Sequence, residues 1–178
     1  MLRGLTAVSA LLLASGEAAA LTLTSPAFVD GGEIPSVHTC EGTDTSPPLA
    51  WAGAPDGTRS FVLIVDDPDA PDPKAPRTIW VHWVVYDLPA SSAGLSAGAS
   101  PAGLPAAARE GLNDWKASGY RGPCPPIGRH RYVHTLYALD MNLPTLDHPS
   151  KQDVERAMAG HVIGHAKFVG TYEKRRGK

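Results

Sequence analysis

The chain of 178 residues is long enough to fold as one domain with a substantial hydrophobic core. Its 18 glycines and 17 prolines favour short strands and many turns over long helices. The formal net charge of −2 argues against a nucleic-acid-binding surface, because lysine and arginine are not in excess to neutralise phosphates.

Residues 1–20 are typical of a secretory signal peptide. Arg3 supplies the positive charge, an apolar stretch follows around 8–14, and the alanines at 18–20 fit a small-residue cleavage site. The apolar stretch is too short to span a bilayer as a stable helix. The sequence therefore predicts a single mature domain over residues 21–178, which is periplasmic or secreted.

Five segments predict β-strands, because they are rich in β-branched and aromatic residues or alternate in polarity between turn-forming residues. Two of them, 60–66 and 79–88, are apolar on both faces, so we expect them to lie in the middle of a sheet that is covered on both sides. The segments in chain order are 21–28, 60–66, 79–88, 131–140 and 161–172.

One helix is predicted near the C-terminus, at 150–160. Ser150 is suited to cap it, and Asp153 follows three residues later. The segments 30–48 and 89–105 are rich in glycine, proline and small residues and are predicted to be surface loops. The pattern predicts a mostly β domain, an antiparallel two-sheet β-sandwich with one or two short helices near the C-terminus.

A proline-rich loop leads directly into a His-Arg pair. Three prolines fix the backbone of this loop, whereas Gly122 and two later residues keep N–H groups that can point at a ligand. In the strand that follows, His130 and Tyr132 face one way and Arg131 the other. We therefore expect His130 to enter an anion-binding pocket together with N–H groups of the loop.

Asp67 and His82 are two further candidates for this pocket. Asp67 leaves the end of one strand on its core-facing row, and His82 shares a row with Trp80, Val84 and Tyr86. An aspartate beside an imidazole favours the protonated ring, which donates to an anion. The residues alone leave two alternatives open, in which His82 is a core histidine and Asp67 caps a turn.

Cys40 and Cys124 are the only cysteines, and both lie in the part of the chain that is predicted to be exported. An even pair in an oxidising compartment favours a disulfide, which would join an early loop to the proline-rich loop. Two free buried thiols are the alternative.

Several motifs follow one another along the chain. They are SPPLAW at 46–51, DPDAP at 67–71, WVHW at 80–83, GPCPP at 122–126, GRHRY at 128–132 and GTY at 170–172. Their order resembles the phosphatidylethanolamine-binding proteins, in particular the bacterial branch described as Raf-kinase-inhibitor-like. The resemblance covers nearly the whole mature chain and implies a two-sheet β-fold with a ligand pocket at one end. It also implies that Asp67, His82 and His130, with the loop prolines, occupy anion-binding positions. Pro126 and Tyr132 match the family's pattern less closely.

Other chemistries find little support in the sequence. The nucleophile elbow G-x-S-x-G and the P-loop motif do not occur. The pairs His161/His165 and His130/His134 are each spaced four apart, but they lack the glutamate of H-E-x-x-H and a nearby cysteine pair. We therefore predict neither an enzymatic activity nor a metal or other cofactor.

The sequence predicts a non-enzymatic, exported protein with a pocket for phosphate or another anionic head group, such as that of a phospholipid. Loop N–H groups and the imidazoles of His82 and His130 would donate to the anion. Trp80, Trp83 and Tyr132 would form the walls. The alternative is an inhibitor or modulator of a protease or kinase-like protein, whose acidic or phosphorylated side chain would enter the pocket. Neither nucleic-acid binding nor a transmembrane segment is expected.

Overall fold

The structure, a computed structural model, describes residues 20–175, which form two antiparallel β-sheets. The predicted signal peptide, apart from Ala20, lies outside the described residues. The smaller sheet has the order β1–β2–β5, with β1 Thr22–Thr24, β2 Leu49–Ala52 and β5 Gly94–Leu95. The larger sheet has the order β6–β4–β3–β7–β8, with β3 Ser60–Asp67, β4 Trp80–Pro89, β6 Arg109–Glu110, β7 Arg129–Leu139 and β8 Val162–Glu173.

The main hydrophobic core lies between the two sheets. The smaller sheet contributes Leu23, Leu49, Trp51 and Leu95, and the larger sheet contributes Phe61, Leu63, Val65, Trp83, Val85 and Leu136. Burial of these apolar side chains stabilises the contact of the sheets, and it confirms the predicted two-sheet β-sandwich.

The outer face of the larger sheet is covered by the single α-helix of the described residues, α1 Lys151–Ala157, and the loop before it. Val62, Ile64, Val84, Tyr86 and Leu139 of the sheet pack there against Leu143, Val154 and Met158. The strands β3 and β4 are therefore buried on both faces, as their apolar composition predicts.

Helix α1 begins at a capping box. The side chain of Ser150 accepts from the N–H of Asp153, and the carboxylate of Asp153 accepts from the N–H of Ser150. The helix ends three residues earlier than predicted, and Gly160 follows with a positive φ of 83°. Between residues 20 and 175, no helix is both long and apolar enough to cross a membrane.

The smaller sheet differs from the sequence prediction. Its first strand covers only three of the residues predicted at 21–28, since Pro26 lacks the N–H needed to continue the ladder. Its third strand lies in the segment 89–105, which was expected to be an exposed loop, and Leu95 there is buried. A Cβ added to Gly94 would lie 2.4 Å from the carbonyl oxygen of Leu49, so only glycine permits this pairing.

A β-bulge at His82 breaks the side-chain alternation that was predicted for β4. Val65 of β3 pairs with Trp83 and Asp66 pairs with Val81, so His82 is an extra residue in its strand. The expected common row of Trp80, His82, Val84 and Tyr86 is therefore wrong. Val84 and Tyr86 face α1, whereas His82 turns toward the other face and packs against Tyr132.

Candidate functional site

One cavity of about 310 Å³ lies where β3 ends and where β4 and β7 begin. Since neighbouring strands of the sheet run antiparallel, these three points meet at the same edge. The lining consists of a small polar group, an aromatic wall and a run of proline residues. The residues are Asp67, Ala70, Pro71, Trp80, His82, Trp115, Cys124, Pro125, Pro126, His130 and Tyr132. Of the seven predicted ligand-binding residues, only Gly122 does not line this cavity.

Asp67 and His130 form a buried pair in the wall of the cavity. The Nδ1 atom of His130 donates to Oδ2 of Asp67 at 2.7 Å, and its Nε2 atom lies 2.9 Å from the carbonyl oxygen of Ile127. The other carboxylate oxygen of Asp67 accepts from the N–H of Asp69 at 2.8 Å. Both partners of the ring are acceptors, so only an imidazolium satisfies them together. Both N–H groups of His130 are engaged within the protein, although the sequence predicted that this ring donates to a ligand.

His82 is held differently. Its Nδ1 atom donates to the carbonyl oxygen of Arg121 at 2.6 Å, and the N–H of Arg121 donates back to the carbonyl of His82 at 3.1 Å. The ring meets Trp115 and Tyr132 edge-on, each at a centroid distance of 5.1 Å. Burial lowers the pKa of His82, and this effect exceeds the opposing effects of the Arg121 carbonyl and of nearby carboxylates. The ring is therefore neutral near pH 7, and the carboxylate of Asp67 is paired with His130 rather than with His82.

A second acid–base pair, between Asp69 and Arg131, lies beside the first and was missed by the sequence reasoning. Arg131 donates to Asp69 from its backbone N–H at 2.8 Å, from Nε at 2.9 Å and from Nη2 at 2.7 Å. These bonds lower the pKa of Asp69. Two features of the sequence could have indicated this pair: the D-x-D spacing at the end of β3 and the adjacent His-Arg pair in β7. Because β3 and β7 are neighbours in the sheet, each acid meets one of the two basic residues.

The aromatic wall is made by Trp80 and Trp115, and the sequence analysis did not identify Trp115. The two indoles meet edge-on at 5.4 Å, and the guanidinium of Arg121 lies 5.6 Å from the ring centre of Trp115. Asn113 holds the turn that carries Trp115 by accepting from its N–H at 3.0 Å. Trp83, which was expected in the wall, is fully buried in the core and donates to Glu110.

Gly122 and the disulfide anchor the loop that lines the cavity. The N–H of Gly122 donates to Asp44 at 2.8 Å, and a Cβ at this position would lie 2.2 Å from a carbonyl oxygen. This N–H therefore serves the protein rather than pointing into the cavity. Cys40 and Cys124 form the predicted disulfide, with an S–S distance of 2.12 Å. Pro125 and Pro126 follow directly, and both line the cavity.

The histidine pairs of the sequence do not form a metal centre in the part of the chain that the structure describes, where no group of three or more His, Cys, Asp or Glu side chains is placed to hold an ion. His161 is exposed and bonded to Asp140 at 2.9 Å. His134 is buried behind the cavity between Phe28 and Phe168.

Comparison with known proteins agrees with this architecture. The family model described as phosphatidylethanolamine-binding protein matches residues 24–173. The chain belongs to this family. A UPF0098 protein of Methanothermobacter thermautotrophicus is 49% identical over 155 residues, which cover 86% of this chain and 99% of the relative. The family resemblance inferred from the motifs is thereby confirmed.

Two solved structures of the family have the same fold. A putative phosphatidylethanolamine-binding protein homolog from Chlamydia trachomatis is 40% identical, with a TM-score of 0.79, and the match covers 88% of this chain and 99% of that one. YbcL of Escherichia coli is 33% identical, with a TM-score of 0.80, and the match covers 88% of this chain and 100% of that one.

Proposed function

We propose that this phosphatidylethanolamine-binding protein homolog is a non-enzymatic binding protein whose cavity accepts phosphate or a related anionic head group of a small ligand. The observation that carries the proposal is the buried Asp67–His130 pair at the wall of an otherwise aromatic and proline-lined cavity. An apolar cavity with a few oriented polar groups is the usual form of a small-molecule site.

The cavity binds an anion by directed hydrogen bonds rather than by excess positive charge. The Asp67–His130 pair is neutral as a whole, and neither lysine nor arginine lines the cavity. Donors remain available in the indole N–H groups of Trp80 and Trp115. Because aromatic and proline side chains partly enclose the cavity, each such bond is stronger than it would be at the surface. The prolines and Ala70 offer contact to the organic part of the ligand.

The lining also explains why we propose binding rather than turnover. It contains no serine, threonine or lysine, and its one cysteine, Cys124, is consumed in the disulfide. A nucleophile requires an adjacent base that is free to take its proton. The Asp67–His130 pair cannot act as that base, because both ring nitrogens are bonded to protein atoms. The free nitrogen of His82 has no serine, threonine, lysine or free cysteine in the lining to deprotonate. Members of this family are in general binding proteins.

We further propose that the protein acts in the periplasm or outside the cell. The proposal rests on the signal-like composition of residues 1–20. The Cys40–Cys124 bridge supports it, because structural disulfides persist mainly in oxidising compartments.

Calorimetric titration of the purified protein with phosphoethanolamine and with inorganic phosphate, at about pH 6 where imidazoles titrate, tests the function. Wild type is expected to bind, and His130→Ala is expected to lose roughly 10-fold or more in affinity, because it leaves the Asp67 carboxylate in the cavity wall without its cationic partner and facing the anion. His161→Ala removes an exposed histidine far from the cavity and is the matched control, with unchanged affinity expected. If neither compound binds, the proposal fails, and inhibition assays against a panel of proteases would test the alternative function.

A further inference from the structure

The free nitrogen of His82 is a hydrogen-bond acceptor. Nδ1 lies 2.6 Å from the carbonyl oxygen of Arg121, and a carbonyl oxygen can only accept, so the ring proton is on Nδ1. In the neutral ring the other nitrogen, Nε2, then carries a lone pair. His82 lines the cavity, and among residues 20–175 its ring makes a hydrogen bond through Nδ1 only, which leaves Nε2 without a partner there. A ligand atom that meets Nε2 must therefore bring a proton.

The charged groups around His82 leave the ring neutral. Asp67 lies across the cavity but its charge is matched by His130, and Asp44 and Asp114 act from the neighbouring loops. All three carboxylates raise the pKa of His82, yet burial outweighs them and the net pKa is lowered. The Arg121 side chain lies over Trp115, and His134 behind the cavity adds no positive charge at neutral pH.

The carboxylate of the lining points to the same requirement. Asp67 is a carboxylate and offers only acceptor atoms, and no ammonium or guanidinium of the lining faces it or Nε2. An oxyanion without a proton in this position would place a lone pair against that of Nε2. Such a contact of acceptors is unfavourable in a partly enclosed cavity.

We propose that the ligand donates a hydrogen bond to Nε2 of His82, so that the cavity selects the protonated monoanion of a phosphomonoester over the dianion and over sulfate esters. This inference rests on the proposed function and adds the direction of one hydrogen bond to it. The P–OH proton is donated to Nε2, while the other phosphoryl oxygens accept from the donors of the wall. No bond is made or broken, and no proton needs to be transferred.

Methyl phosphate and methyl sulfate are matched probes for this bond. At about pH 6, close to the second pKa of a phosphomonoester, about half of the methyl phosphate is the monoanion. Methyl sulfate has the same charge and nearly the same shape as this monoanion, and it lacks only the proton. Leaving Nε2 without a donor is expected to weaken the binding of methyl sulfate roughly 10- to 100-fold relative to methyl phosphate.

The two affinities are measured by calorimetry on the wild-type protein, which needs no variant. His82→Gln is the second arm, because an amide near the position of Nε2 can donate as well as accept, and it is expected to reduce the preference to within about threefold. Equal affinities in wild type would overturn the inference but leave the anion-binding function intact. Tighter binding of methyl sulfate would also overturn it. If neither probe binds, the proposed function and the inference both fail.

Discussion

Two acid–base pairs join strands β3 and β7, and they differ in their surroundings rather than in their bond lengths. The pairs Asp67–His130 and Asp69–Arg131 each have an N–O distance of 2.7 Å. The inner imidazole is 0% exposed, whereas the outer guanidinium is 60% exposed. Solvent screens the outer pair, so this pair contributes only modestly to the stability of the contact between β3 and β7. The inner pair cannot be screened, so its geometry is fixed and can shape a binding cavity.

The largest effect is expected from breaking the inner pair. Asp67→Ala removes the partner of a buried imidazolium and should lower the free energy of unfolding by about 3–5 kcal/mol, together with a loss of ligand binding. Urea denaturation measures the change. Asp69→Ala is the matched control and should cost only about 1–2 kcal/mol, since its partner Arg131 is exposed. Equal losses in the two variants would contradict the distinction between the pairs.

The inner pair also depends on a loop that the disulfide fixes, because Ile127 of this loop accepts from His130. Replacing both Cys40 and Cys124 by serine should lower the free energy of unfolding by about 4 kcal/mol in the chain-entropy model. It should weaken ligand binding as well, by loosening the proline run of the cavity. Denaturation and calorimetry of the variant test both points, and an unchanged denaturation midpoint would count against a stabilising bridge.

A third comparison lies within β7, where His130 has a carboxylate partner and His134 has none. Burial lowers the pKa of His134 to about 4, from an ordinary value of 6.5. Between pH 6.5 and 4, His134 is protonated in the unfolded chain but stays neutral in the folded protein. Stability due to the neutral ring is therefore present above about pH 6.5 and is lost as the pH falls toward 4, by up to about 3 kcal/mol.

His134→Phe should flatten this acid dependence of the unfolding free energy, since the new ring cannot be protonated. The site lies between Phe28 and Phe168 and is apolar enough to accept phenylalanine. Part of the slope should remain, because His82 also has a lowered pKa and acts in the same direction. An unaltered slope in the variant would show that His134 is protonated in the folded protein.

The smallest effect is expected from the basic side of the outer pair. Arg131→Ala should lower the free energy of unfolding by about 1 kcal/mol and leave ligand affinity unchanged. Arg129→Ala is a suitable control, because this neighbouring arginine is also exposed and lies 3.4 Å from Glu33. A loss of affinity in Arg131→Ala that is absent in Arg129→Ala would show that the outer pair also supports the cavity.

The sequence predicted those features that depend on regular periodicity. Alternation placed His130 and Tyr132 on the buried side of β7 and Arg131 on the other, and the structure agrees. The apolar strands β3 and β4 and the Ser150 capping box were predictable for the same reason. In each case a local pattern determines a local conformation.

The features that were missed depend on irregular or distant contacts. The bulge at His82 is visible only in the register of β4 against β3. Trp115 reaches the cavity from a turn that is held by Asn113. Such a turn leaves no periodic pattern in the sequence, so its position could not be predicted. Gly122 is glycine because of a close carbonyl oxygen rather than a ligand, and that neighbour comes from a distant segment of the chain.

The central claim is that the cavity presents an engaged imidazolium at His130 and a free acceptor at His82. Nitrogen-15 NMR of the histidine rings at about pH 6, where imidazoles titrate, tests it directly, with and without methyl phosphate. We expect two N–H signals for His130 that change little, and one N–H signal for His82 whose bare nitrogen shifts as the ligand is added. No change in either ring would contradict binding in this cavity, and a second N–H on His82 before ligand is added would contradict the assigned direction of its hydrogen bond.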